Sequence, residues 1–240
     1  MKVKSWSNVL LFSAALASGG LLALPVTAFA MCGHGGEHGG RGSGCAATAT
    51  DALNAGDMER GRQRAAQECA RCHGADGNAS EATIPSLAGQ KSAYLLTQLQ
   101  NFRAGQRHNR LMTPVAQALA EQDAAPLAAH FSAQTLKLRP GSGASAPGLV
   151  EAGRALYEDG DASRHLPACS HCHDAGPGHG PRERFPLLGG QPAAYVVSQL
   201  KQFRARERQA MPPMMTRIAA RLDENDMQAV AAFIAARPQR

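Results

Sequence analysis

The strongest constraint on the fold of this chain is an internal duplication. CARCHGADG at 69–77 recurs as CSHCHDAGPG at 169–178, and YLLTQLQNFRA from Tyr94 recurs as YVVSQLKQFRA from Tyr195. PSLAGQ likewise recurs as PLLGGQ, and LMTPVAQAL as MMTRIAARL. A period of about 100 residues is the size of a small domain. The sequence therefore predicts two homologous domains in tandem.

Each copy is predicted to be helical. Leu95, Leu99 and Phe102 recur at near-helical spacing after Ser92, which is available as an N-cap. A closing helix is predicted after the capping residue Asp223. No segment shows the sustained period-two alternation of a half-buried strand. The sequence predicts an all-α chain with long loops.

The N-terminus is typical of a secretory signal. Lys2 and Lys4 precede an apolar run over 9–24 and a small-residue A-x-A site at 28–30, which predicts cleavage before Met31. The mature protein is then expected in the periplasm. An uncleaved anchor is the alternative, because the apolar run is nearly long enough to span a bilayer.

Composition shifts divide the rest of the chain. A Gly/Ser/Ala/Pro-rich stretch, RPGSGASAPG, has the composition of a linker. The predicted segments are a signal peptide over 1–30, a Gly/His/Cys-rich flexible leader over 31–56, a first domain over 57–138, a linker over 139–148 and a second domain over 149–240.

The charge is evenly distributed between the halves. The formal net charge is +6, with 11 basic and 9 acidic residues in 31–140 and 12 basic and 10 acidic residues in 141–240. This distribution argues against a nucleic-acid partner and does not indicate which half docks which partner.

The motif C-x-x-C-H occurs once in each repeat and has four interpretations. Zinc ribbons join two C-x-x-C pairs about 15 to 20 residues apart rather than a domain apart, and a redox dithiol belongs beside a βαβ pattern. A plain disulfide leaves the histidines unexplained. C-x-x-C-H is the attachment signal of c-type haem, in which two thiols bind the porphyrin and the histidine binds its iron. The predicted ligands are Cys69, Cys72 and His73 for one haem and Cys169, Cys172 and His173 for the second.

Each iron needs a sixth ligand or has an open position. Met112 and Met215 occupy matching repeat positions, and a thioether ligand suits electron transfer because it favours the reduced iron. The alternative is that these methionines fill the core. Unmatched histidines are rival ligands and are expected to be mostly solvent-facing: His34, His38, His108, His130, His165, His171 and His179.

With these motifs, the chain resembles the dihaem cytochrome c4 family from about Gly61 to about Arg237. The resemblance implies two class I cytochrome c domains related by a pseudo-two-fold axis, with Met112 and Met215 as axial ligands. It also implies that the carbonyls of Pro85 and Pro186 accept the ring N–H of the iron-binding histidines. The implied activity is electron transfer from a quinol-oxidising complex to a terminal oxidase.

The leader over 31–56 does not match that family. Cys32, His34, His38 and Cys45 lie in its glycine-rich run. The two cysteines could pair as a disulfide in an oxidising compartment, or the four side chains could bind copper or zinc.

The leading hypothesis is a soluble or loosely membrane-associated dihaem electron carrier, which is not itself an enzyme. The rival is a haem enzyme with one open iron site, or the electron-transfer subunit of a periplasmic dehydrogenase. A third hypothesis makes the leader a metal-handling segment coupled to redox change.

Overall fold

A computed structural model describes residues 49–139, 145–174, 184–209 and 213–239. These residues form ten α-helices and no β-strand, which confirms the all-α prediction for the described part of the chain. The first half contains α1 (Ala49–Arg64), α2 (Ala70–His73), α3 (Ser92–Arg103), α4 (Met112–Ala118) and α5 (Glu121–Ser132). The second contains α6 (Pro147–Glu158), α7 (Ser170–His173), α8 (Ala193–Arg204), α9 (Met214–Ala219) and α10 (Glu224–Ala236).

The two halves pack their helices in the same way. In the first, α5 lies against α1 and α3; in the second, α10 lies against α6 and α8. The first core includes Leu95, Leu127 and Phe131, and the second is built around Tyr157 and Met227, which are fully buried. Burial of these apolar side chains is the main stabilising contribution to each half.

A glycine at matching positions permits a close helix–helix contact in each half. A Cβ added to Gly61 would lie 2.2 Å from the carbonyl oxygen of Pro126, and one added to Gly153 would lie 1.9 Å from that of Ala229. Both distances are shorter than any ordinary carbon–oxygen contact. Glycine is therefore required where α1 crosses α5 and where α6 crosses α10.

Substitution of Gly153 by alanine is expected to destabilise the protein by about 3 kcal/mol, because the new methyl group must push α6 away from α10. Gly148 lies in the same helix with no atom within 4 Å of its added Cβ, so Gly148→Ala is the matched control and is expected to be neutral or slightly stabilising. Urea unfolding of both variants measures the difference. Equal midpoints would contradict the requirement for glycine at the crossing.

Of the two N-cap residues predicted from the sequence, the structure contains one, at the start of α10, and not the other, at the start of α3. Asp223 accepts a hydrogen bond from the Asp226 backbone N–H, and the Asp226 carboxylate accepts one from the Asp223 N–H, forming a capping box for α10. Ser92 is instead the first helical residue of α3, where Lys91 occupies the N-cap position without a side-chain cap. The prediction of a Ser92 cap is wrong.

Within the part of the chain that the structure describes, no helix is long and apolar enough to cross a membrane. The predicted signal at 1–30 lies outside the described residues, as does most of the leader. The helix α6 begins at Pro147, inside the stretch predicted as linker.

Candidate haem-binding sites and the contact between the halves

Each C-x-x-C-H motif forms one short helical turn. A five-residue π-helical turn, Ala65–Cys69, leads directly into α2, and Cys169 is the N-cap residue of α7. Both short helices end at their histidine, and the side chains of His73 and His173 are only 6% and 8% exposed. The motif thus places two thiols and one buried imidazole within a single turn in each half.

The buried imidazoles are oriented by backbone carbonyls. Nδ1 of His73 donates to the Pro85 carbonyl at 2.9 Å, and Nδ1 of His173 donates to the Pro186 carbonyl at 2.8 Å. Because a carbonyl oxygen can only accept, Nδ1 carries the proton and Nε2 retains its lone pair. Histidines that bind metals commonly have this arrangement, in which the second nitrogen is fixed by a hydrogen bond.

Burial keeps both imidazoles neutral. It lowers the pKa of His73, and the hydrogen bond to Pro85 opposes that effect without cancelling it. The pKa of His173 is likewise lowered, again chiefly by burial. A neutral imidazole is the form that binds a metal.

No disulfide joins the two cysteines of either motif. Burial, reinforced by the nearby Glu68 carboxylate, raises the pKa of Cys69 to about 11. Burial also raises the pKa of Cys169 to about 11. Reactive redox dithiols have lowered thiol pKa values, so these protonated thiols disfavour the dithiol interpretation.

Met112 is the first residue of α4. The loop that leads into this helix is ordered by hydrogen bonds to Asn109. The Asn109 side-chain oxygen accepts from the backbone N–H groups of Leu111 and Met112, both at 2.9 Å. The Asn109 N–H in turn donates to the Thr113 hydroxyl at 3.0 Å. This loop holds a half-buried methionine at a defined position.

In the second half, Met215 is also half-buried and packs against the core, whereas its neighbour Met214 is 45% exposed. Met211, the other methionine of the segment, lies outside the described residues. Of the two methionines that the structure describes here, Met215 is the one directed inward.

The other histidines differ in environment. His108, His165 and His171 are exposed. His130 is buried at 6% exposure, with its ring centroid 5.1 Å from that of Phe131, so the expectation of a solvent-facing side chain is wrong for this residue. His130 lies on the apolar face of α5, a periodicity that could have indicated burial.

The leader residues proposed to bind copper or zinc, Cys32, His34, His38 and Cys45, lie outside the described residues. Among those that are described, no group of three or more His, Cys, Asp or Glu side chains is arranged to hold a metal ion.

The two halves contact each other through reciprocal glutamines. Gln90 donates to the Leu187 carbonyl and accepts from the Leu187 N–H, both at 2.9 Å. Gln191 donates to the Ser86 carbonyl at 2.8 Å and accepts from the Ser86 N–H at 3.1 Å. Gln90 and Gln191 are 3% and 4% exposed and occupy matching repeat positions. The contact therefore has the pseudo-two-fold symmetry that the resemblance predicts.

A pair of buried arginines lies at the same contact. Arg107 donates to Gln98 of its own half at 2.8 Å and to Gln199 of the other half at 2.9 Å. Arg208 donates to Gln199 at 2.7 Å and to Gln98 at 3.4 Å. Their backbones also form an isolated antiparallel bridge. Sequence reasoning missed this network, although all four side chains are identical between the repeats.

These guanidiniums are positive, buried and without a carboxylate partner among the described residues; Arg107 is 9% and Arg208 is 7% exposed. Each donates to a tyrosine hydroxyl of the opposite half, Arg208 to Tyr94 at 2.9 Å and Arg107 to Tyr195 at 3.3 Å. Burial alone would raise the pKa of Tyr195, but the two guanidiniums outweigh it and the pKa is lowered. The centre of the contact is a strongly positive environment suited to an anion.

One contact distinguishes the second site from the first. The Tyr157 hydroxyl donates to the Asp174 carboxylate at 2.6 Å, and Arg237 donates to its other oxygen at 2.8 Å. Asp174 directly follows His173, whereas Gly74 follows His73. The two candidate sites are therefore chemically inequivalent.

Comparison with protein families yields two adjacent matches. Residues 58–134 match the model described as cytochrome c, and residues 148–234 match the one described as cytochrome C oxidase, cbb3-type, subunit III. The predicted pair of cytochrome c domains is thereby confirmed.

Individual relatives match across both halves. A cytochrome c4 of Pseudomonas aeruginosa is 38% identical over 182 residues, covering 75% of this chain and 88% of the relative. A thiosulfate dehydrogenase electron acceptor of Thiomonas intermedia is 39% identical over 180 residues, covering 72% and 80%. The crystal structure of reduced recombinant cytochrome c4 from Pseudomonas stutzeri aligns with a TM-score of 0.68 at 35% identity, covering 75% of this chain and 98% of that one.

Proposed function

The chain belongs to the cytochrome c4 family and is a c-type cytochrome that carries electrons, and from this premise we propose that it is a periplasmic carrier with two haems. The observation that carries the proposal is the pair of buried histidines, each with Nδ1 bonded to a proline carbonyl and Nε2 available to a metal. The proposed assignment is one haem to each half of the chain.

The residues of each motif fit a haem c. Cys69 and Cys72 would form thioether bonds to the porphyrin in the first half, and Cys169 and Cys172 would do so in the second. When bound, the haem supplies an iron that accepts and releases one electron. The protein contributes a buried, neutral imidazole of fixed orientation, which limits the rearrangement that accompanies a change of charge.

Met112 and Met215 are the proposed sixth ligands. Their matching positions at the start of α4 and α9, and the hydrogen bonds that order the Met112 loop, support this assignment. A thioether in this position would close the iron to small molecules and raise its reduction potential.

The buried arginines at the contact between the halves would hold acidic groups of the haems. Haem c carries two propionates, and two guanidiniums without carboxylate partners are suited to neutralise them. Arg107 and Arg208 belong to different halves and share Gln98 and Gln199. Propionates of both haems would therefore bind to the same arginine–glutamine network, which would hold the two haems close together.

The proposed partners are redox proteins. Family resemblance supports a quinol-oxidising complex as donor and a terminal oxidase as acceptor. A second candidate function is acceptance of electrons from a thiosulfate dehydrogenase, which is favoured by the 39% identical relative named for that role. Reduction of the purified protein by each candidate donor distinguishes the two.

An optical spectrum with a haem count tests the core of the proposal. Two haems per chain, the weak far-red band of methionine-to-iron ligation and no response to carbon monoxide are expected. Binding of carbon monoxide by the unmodified reduced protein would mean that one iron is open, and the haem-enzyme hypothesis would replace that of a closed carrier.

A further inference from the structure

The second half contains an open basic groove beside α9. Its volume is about 340 Å³, and it lies between the end of α8 and the helix that carries Met215. It is lined by Arg204, Arg206, Thr216, Arg217, Ala220 and Arg221. Because α9 begins at Met214, the groove adjoins the segment that presents the proposed iron ligand.

Three of its four arginines have no acidic partner among the residues that the structure describes. Arg204 forms an ion pair with Glu224. Arg206, Arg217 and Arg221, hereafter the basic face, are exposed and form no ion pair with any described carboxylate. No acidic residue lines the groove. The basic face therefore presents three uncompensated positive charges to solvent.

The first half lacks these charges at matching positions. Gly105, Pro114 and Ala118 correspond to Arg206, Arg217 and Arg221 respectively. Both surfaces expose apolar side chains, Leu111 at 61% and Val115 at 37% around α4 and Met214 at 45% at α9, so the three arginines are what distinguishes the second half. The halves have equal net charge, yet their surfaces beside the proposed methionine ligands differ in chemistry.

Arg206 also occupies a conformation that arginine disfavours. Its φ is +61°, in the left-handed region, where the first half has Gly105 at +70°. A residue with a Cβ costs about 1 kcal/mol there relative to glycine. Arginine at this position thus opposes backbone stability, which points to a role for its side chain in binding.

We propose that the basic face docks an acidic protein surface that exchanges electrons with the second half; this rests on the proposed carrier function. Guanidiniums pair with carboxylates through two parallel hydrogen bonds. A concave groove admits protruding Asp and Glu side chains, whereas a flat bilayer cannot enter it. Three arginines would also attract an anionic membrane by only about 1 kcal/mol each.

The test variant replaces the basic face by Arg206→Gly, Arg217→Gln and Arg221→Ala. The control variant removes the same charge by Arg60→Gln, Arg62→Gln and Arg154→Gln, at arginines of α1 and α6 that are each already paired with a carboxylate of their own helix. The acidic blue-copper protein plastocyanin is the probe. Stopped-flow electron-transfer rates are measured as a function of ionic strength for the holoprotein and both variants.

The basic-face variant is expected to react with plastocyanin about tenfold more slowly at low salt and with a weaker salt dependence, while the control stays within about twofold of the unmodified protein. Equal rates for the two variants would overturn the proposal. So would an unchanged plastocyanin rate combined with loss of binding to phosphatidylglycerol vesicles, because the occupant would then be a membrane.

Reduction by the neutral reagent tetramethyl-p-phenylenediamine separates this proposal from the carrier function. All three proteins are expected to be reduced at the same rate. Failure of the unmodified protein to be reduced would reject the carrier function itself. Normal reduction with no effect of the basic-face substitutions on the plastocyanin rate would reject the docking proposal alone.

Discussion

Replacement of Met112 by leucine is expected to make the reduced protein bind one carbon monoxide per chain, where the unmodified protein binds none. Leucine has a similar volume and no sulfur, so the loop should pack as before while the iron would lose its proposed sixth ligand. About half of the far-red methionine band should disappear. Carbon monoxide titration and the oxidised spectrum measure both effects.

The same substitution can be made in the second half, where a neighbouring methionine also provides a control. Met215→Leu is expected to have the same effect on the other haem, and the double variant should bind two carbon monoxide molecules per chain. Met214→Leu changes the exposed neighbour and should leave the spectrum unaltered. If Met214→Leu opened an iron and Met215→Leu did not, the ligand assignment in this half would have to be reversed.

The repeated motifs predicted much of the architecture because they are local. A C-x-x-C-H segment needs only one helical turn to bring its side chains together, and the structure contains that turn in both halves. The closing helix α10 was predictable for the same reason, since the cap Asp223 and the apolar residues lie within one segment. Met227, Val230 and Ile234 form its buried face.

The contact between the halves was not predictable in the same way, because it depends on how two domains are oriented. Tyr94 directly precedes the apolar residue Leu95 in α3, yet its hydroxyl accepts a hydrogen bond from Arg208 across the contact. Identity of Gln90 and Gln191 between the repeats is equally consistent with a role inside each domain. Only the three-dimensional arrangement distinguishes the two roles.

The clustering of positive charge on the surface of the second half could not be predicted from residue counts. The even totals in the two halves gave no indication of different surfaces, because Arg206, Arg217 and Arg221 are separated in sequence and balanced by acidic residues elsewhere. Folding brings the end of α8 beside α9 and concentrates the three charges. Comparing the repeats position by position would have revealed the substitutions, though not their proximity.

Replacement of both Gln90 and Gln191 by leucine is expected to separate the two halves. Each glutamine satisfies one N–H and one C=O of the opposite half, buried at Ser86 and part-buried at Leu187, and leucine can satisfy neither. A buried unsatisfied polar group costs about 1–3 kcal/mol, so losing four partners should destabilise the contact by several kcal/mol. The radius of gyration in small-angle X-ray scattering should rise, while the helical circular dichroism of each half is retained.

Gln100→Leu is the matched control, since Gln100 is exposed on α3 and should leave the radius of gyration unchanged. Compactness tests the contact directly, because each core lies within its own half and does not require the other. If the double variant remained as compact as the unmodified protein, the arginine network would have to hold the halves together by itself. Adding Arg107→Gln and Arg208→Gln to the double variant would then be expected to separate them, since the hydrogen bonds that the two guanidiniums donate across the contact would be lost.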